Sequence, residues 1–108
     1  MNEPSPDLRP FTESDVPSVF RLWIECEGLG HGPGDDPPAL ARFLGRNPGL
    51  AFVAEEGGTI AGAILCGHDG RRGFMYRLAV APSFRRCGVA RALARAGLAA
   101  LAAFIAGD

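Results

Sequence analysis

"VAPSFRRCGVARAL", residues 80–93, joins a short apolar run to an alanine-rich segment through a proline, two arginines and a glycine. The apolar run reads as the end of a strand, stopped at Pro82. The segment after Gly88 reads as a helix with Val89, Leu93, Ala96 or Gly97, and Leu101 on one face. The first amides of a helix have no internal partners, and their dipoles sum to a partial positive charge. A glycine at that point admits unusual dihedrals and lets a ligand approach the backbone. Arg85 and Arg86 add full charges. The stretch therefore predicts an anion site of the phosphate-cradling kind. It is not a P-loop, because the Lys-Ser/Thr ending is absent, and it does not read GxGxxG. The plain alternative is an arginine-rich surface turn.

Working outward, residues 74–81 predict a strand. It is preceded by a hairpin: strands over 50–55 and 59–66 joined by Glu56-Gly57-Gly58, with a second turn over 68–72. Residues 8–11 predict a short first strand. Thr12 and Asp15 have capping-box-like spacing, and Val16, Val19, Phe20 and Trp23 follow at helical spacing, in a helix expected to end near Gly28. The glycine-rich run 28–36 is a loop. Asp36, Pro37 and Pro38 open another helix with Leu40, Phe43 and Leu44 on one side, and Asn47-Pro48-Gly49 closes it. The order β-α-α-β-β-β-α gives a mixed α/β, or α+β, plan.

One domain fits the length of 108 residues. With 47% hydrophobic and 21% charged residues, a folded chain is expected rather than a disordered one. No window approaches the roughly 18 apolar residues of a membrane span, and the acidic, proline-rich start does not read as a secretory signal. Three widely spaced cysteines, Cys26, Cys66 and Cys87, form neither a disulfide framework nor a zinc motif. A cytoplasmic location and no metal are expected. Net charge is -1, yet residues 1–56 hold ten acids against four arginines while residues 57–108 hold two acids against seven arginines. Such asymmetry fits an anionic ligand on the second half.

Arg85-Arg86-Cys87-Gly88-Val89-Ala90 fits the Q/R-x-x-G-x-G/A signature, and here the chain resembles the GNAT superfamily of N-acetyltransferases. The preceding YRLAVAPSF is similar to that family's fourth strand and its exit, and LRPFTESDVPSVFRLW to its opening strand and first helix. The resemblance covers residues 8–101. It implies the GNAT-like acyl-CoA N-acyltransferase fold over residues 1–108, truncated after the helix that follows the fourth strand. The family's fifth strand and closing elements, with the tyrosine that often protonates the leaving thiolate, have no counterpart here, and Tyr76 does not match it.

The resemblance further implies acetyl-CoA as cosubstrate. Its pyrophosphate would lie on the backbone amides of Arg85, Arg86, Cys87, Gly88, Val89 and Ala90, with Arg91 beginning the helix. Its pantetheine arm would pair with the main chain of Leu78, Ala79 and Val80, and an amide near Val80 would polarise the thioester carbonyl. The acceptor would be a small-molecule or peptide amine, with no nucleic acid and no membrane as partner. A homodimer is expected from the unpaired edge of the fourth strand. The alternative function, from another class, is a catalytically inactive fragment that serves as a CoA-binding or assembly module.

Other residues carry weaker signals. Glu25, Glu27, Asp35 and Asp36 border the acceptor side and would attract a cationic amine; as plain features they are solvated charges, with Asp36 a helix cap. His31 in the same loop would relay a proton, or do nothing. Cys87, beside two arginines at a helix start, has the setting of a reactive thiolate, although the signature leaves that position variable. Cys66, Trp23 and Phe20 are expected in the core.

Overall fold

The computed structural model describes residues 6–27 and 36–106. Its elements run β1 (Asp7–Pro10), α1 (Val16–Glu27), α2 (Pro37–Arg46), β2 (Ala51–Glu56), β3 (Thr59–His68), β4 (Gly73–Val80) and α3 (Val89–Ile105). Short 3-10 turns at Glu13–Asp15 and Pro82–Phe84 lead into α1 and out of β4. The order is the expected one, with strand limits displaced by a residue or two. His31 and Asp35 lie outside the described residues.

Each boundary has a local cause. At the entry to α1, the Thr12 amide donates to Asp15 Oδ2 at 2.9 Å in a capping box, with Asp supplying the carboxylate. That carboxylate is also gripped in a fork by Arg9, whose two terminal nitrogens each reach it at 2.8 Å. Arg9 Nε extends the network to Glu55 at 2.8 Å, so β1, β2 and the start of α1 are tied by one guanidinium. At α2, Asp36 Oδ1 accepts from the Ala39 amide at 2.9 Å, the helix cap expected from sequence. Gly57 and Gly58 both take positive φ, 58° and 81°, as a tight hairpin between β2 and β3 requires.

The four strands form one antiparallel sheet in the order β1-β2-β3-β4. Side chains alternate across it. Ala51, Val53, Ala63, Leu65 and Ala79 face α1 and α2, where they meet Val16, Val19, Leu22, Trp23 and Leu40. Ala54, Ala61, Ile64 and Cys66 face α3, where they meet Val89, Leu93 and Leu101. The sheet is thus sandwiched between helical layers, and the middle of β3 is buried on both faces. Trp23 and Cys66 are core residues, as expected, while Phe20 is half-buried at the margin of the core.

Small residues set how closely α3 lies on the sheet. A Cβ built on Gly62 would meet Leu93 and Val89 at 3.1 Å, and one on Gly97 would come within 2.6 Å of Cys66 Sγ. This close seat fixes the start of α3 beside the end of β4, which is where the site forms.

Candidate functional site

β4 lies at the margin of the sheet, and among the described residues no strand pairs with its outer edge. Which of its main-chain groups face that edge follows from the register. The Ala81 amide donates to the Ala61 carbonyl at 2.8 Å, which marks the 61–81 couple as hydrogen-bonded. Bonded and non-bonded couples alternate along an antiparallel ladder. The couples Gly62–Val80 and Ile64–Leu78 are therefore the non-bonded ones. Leu78 and Val80 turn their N–H and C=O groups to the open edge, whereas Ala79 turns its own to β3. The Ala79 side chain is buried toward α1, and that of Leu78 is exposed.

The outward carbonyl of Val80 has two side-chain donors. Arg85 Nε donates to it at 3.1 Å from the turn beyond β4, and Cys26 Sγ donates at 3.4 Å from the last turn of α1. Cys26 carried no functional signal in sequence beyond its spacing. It follows Trp23 by three and Leu22 by four, which puts it on the sheet-facing stripe of α1.

Pro82 ends β4, a 3-10 turn follows, and residues 85–88 then reverse into α3. Two residues here occupy the left-handed region: Gly88 at φ 81°, and Arg86 at φ 67°. Gly88 is the N-cap of α3 and offers no side chain to its free amides. A non-glycine residue in this region stores about 1–2 kcal/mol, and Arg86 is the only such residue among those described. Cys87 is half-buried, with its thiol directed at the Arg85 carbonyl at 3.6 Å. Val89 anchors the turn in the core, while Ala90 and Arg91 are exposed on the first turn of α3.

Val80, Phe84, Arg85, Arg86, Gly88 and Arg91 surround an open concavity of about 430 Å³ at the start of α3. A second, of about 500 Å³, runs along the end of β4 and is lined by Cys26, Leu78, Ala79, Val80, Arg85 and Ala90. Val80, Arg85 and Ala90 belong to both. Among the described residues no carboxylate pairs with Arg85, Arg86 or Arg91. The first concavity thus combines uncapped helix amides, an open backbone and uncompensated positive charge, and the second an exposed strand edge. Chemically, the pair suits an extended ligand with an anionic end and an amide-bearing arm.

Other candidates lie elsewhere. Glu25 is exposed on α1, and Glu27 closes that helix. Tyr76 packs edge-on against Phe43 of α2, with ring centroids 5.4 Å apart. Burial pushes the Cys66 thiol up from its ordinary range. No helix among the described residues is long and apolar enough to cross a membrane.

Residues 16–106 match the model of the acetyltransferase (GNAT) family. The chain is 42% identical over 88 residues to an acetyltransferase of Photorhabdus laumondii subsp. laumondii, covering 81% of this chain and 60% of that protein. It therefore spans about three-fifths of the length of the curated relatives it matches. In fold it resembles Ard1 of Thermoplasma volcanium, with a TM-score of 0.78 at 23% identity over 92% of this chain and 65% of that one. It also resembles the diaminobutyrate acetyltransferase EctA of Paenibacillus lautus in complex with L-2,4-diaminobutyric acid and coenzyme A. There the TM-score is 0.71 at 25% identity, over 87% of this chain and 58% of that one.

Proposed function

The chain belongs to the acetyltransferase (GNAT) family, and from that premise we propose that it binds acetyl-CoA across β4 and the turn into α3, for transfer of the acetyl group to a primary amine. The observation that carries this reading is the adjacency of Val80, whose main chain faces the open edge, to the uncapped, arginine-flanked start of α3. The pyrophosphate lies over the amides of residues 85–90, with Arg86 and Arg91 flanking it. The pantetheine arm runs along the outer edge of β4 and pairs with Leu78 and Val80.

The Val80 N–H then points at the thioester carbonyl oxygen. Such a donor is worth most when charge builds on that oxygen as the amine attacks. The amine nitrogen, having lost its proton, bonds to the carbonyl carbon. The C–S bond breaks, and the thiolate of CoA leaves. Holding the amine beside the thioester in one cleft supplies much of the rate.

The acceptor is read as a small-molecule or peptide amine, with no nucleic acid partner and a cytoplasmic location. A cationic amine is favoured by the carboxylate of Glu25, exposed in the last turn of α1. Self-association is supported by the open β4 edge and by exposed Met75, Tyr76 and Leu78 along it. Calorimetry with acetyl-CoA and with CoA tests the binding, and absence of heat with both overturns it. Thiol release with a panel of amines tests the transfer.

The second reading is a CoA-binding or assembly module without turnover. Its assembly role is favoured by the exposed apolar side chains of Met75, Tyr76 and Leu78 along β4. CoA binding with no thiol release for any amine selects it.

A further inference from the structure

Arg85 sits at the junction of the two concavities with its Nε–H committed to the Val80 carbonyl. That carbonyl faces the open edge, so it is one of the acceptors a strand-like ligand arm has to use. A carbonyl oxygen has two lone pairs. In the free chain one is taken by Cys26 and the other by Arg85. Arg85 is exposed and has no carboxylate partner among the described residues, whereas Cys26 is half-buried on a packed helix. The guanidinium is thus the removable donor and the thiol the resident one.

We propose that Arg85 is a positioning residue that couples anion binding to opening of the strand edge, an inference that rests on the acetyl-CoA reading above. An anion at the start of α3 offers the guanidinium an opposite full charge and paired acceptor oxygens, which a neutral carbonyl does not. Arg85 swings to the anion and vacates one lone pair of Val80. An N–H of the ligand arm then takes that place. Cys26 stays on the other lone pair and keeps the Val80–Ala81 peptide plane fixed, with its carbonyl aimed outward and its N–H on the Ala61 carbonyl. The phosphate end of the ligand therefore docks first or tightens the hold on the arm. By linkage the arm tightens the hold on the phosphate end by the same factor.

The test uses the whole chain, with CoA, inorganic pyrophosphate and pantetheine as probes. The carbonyl ¹³C resonance of Val80 reports its hydrogen bonding. In the wild type, pyrophosphate is expected to shift that resonance to the position it has in unliganded Arg85→Ala, and to leave it unmoved in Arg85→Ala itself. Saturating pyrophosphate is expected to raise pantetheine affinity several-fold in the wild type and in Arg86→Ala, which only weakens the anion. In Arg85→Ala that gain is lost, and pantetheine alone binds at least as tightly as to the wild type. If CoA binds but pyrophosphate leaves the Val80 carbonyl unmoved, or the fragments bind independently, the coupling is overturned while the acetyl-CoA reading stands. If CoA itself does not bind, both fall.

Discussion

Gly97 of α3 rides directly over Cys66 of β3, so closely that a single added carbon at Gly97 would come within 2.6 Å of the sulfur. Glycine inside a helix costs about 1 kcal/mol relative to alanine, and here the close seat of α3 on the sheet offsets that cost. Gly97→Ala is therefore expected to destabilise the chain by about 1–2 kcal/mol, because overpacking outweighs the gain in helix propensity. Cys66→Ala removes the obstruction. Urea unfolding of both single variants and the double variant should show the alanine at 97 tolerated once the sulfur is gone. Additive losses would mean that α3 shifts freely on the sheet.

Arg86 holds a left-handed conformation with an exposed side chain, so packing does not repay the strain. Arg86→Gly is expected to be neutral or to stabilise by up to about 1 kcal/mol, whereas Arg86→Val should destabilise by about 1–2 kcal/mol. Both variants should lose affinity for CoA through the missing charge. Thermal melts with and without CoA separate the two effects.

Gly88 lines the anion concavity, and a Cβ added to it would meet open space. Gly88→Asp adds negative charge there and forces an L residue to φ 81°. The expected result is a chain that still folds, destabilised by about 1–2 kcal/mol, with CoA affinity reduced below detection in calorimetry. Undiminished affinity in a folded variant would remove the pyrophosphate from this turn.

Asp15 ties the acid stability of the fold to Arg9. The Arg9 fork, then the Thr12 donors, hold its carboxyl below the usual carboxylate range, against the opposing effect of burial. A folded-state value below the unfolded one means that the stabilisation is complete above about pH 4 and is lost as pH falls through the folded value. Melting temperature should drop on acidification below pH 4, and the drop should be smaller in Asp15→Asn. That variant should start about 1–3 kcal/mol less stable at neutral pH, since Arg9 loses the charged fork at residue 15 and keeps only Glu55. A parallel acid limb in both proteins would assign it to other carboxylates.

The three thiols should separate by reactivity. Cys66 is fully buried and its thiol is pushed up, while Cys26 and Cys87 are half-buried. N-ethylmaleimide at pH 8 is expected to modify Cys26 and Cys87 in the native chain and Cys66 only after unfolding, as mass spectrometry of digests would report. CoA should protect Cys26. Protection of Cys66 alone would contradict the placement of the ligand arm.

The order of elements was legible because each is punctuated locally: Gly57-Gly58 for the first hairpin, Asp36 with its prolines for α2, Pro82 and Gly88 around the turn. The candidate turn was legible for the same reason, since helix start, glycine and arginines are neighbours in sequence. Val80 and Cys26 meet across 54 positions, and nothing local announces that contact. The parity that turns Leu78 and Val80 outward but Ala79 inward depends on pairing with β3, and residue types alone do not set it. The Arg9 network was missed because Glu55 comes near Arg9 only when β1 lies along β2.

β2, β3 and β4 are sequence neighbours as well as sheet neighbours, and α3 follows to cover them, so residues 51–105 close by short loops alone. Contacts between segments near in sequence form fast, because little chain entropy is lost in closing each loop. β1 has to wait for two helices to be bridged before it can pair with β2. The part of the molecule that carries Val80, Arg85 and Gly88 is therefore expected to condense early. In hydrogen exchange the amides of β3 should be the last to open and those of β1 the first.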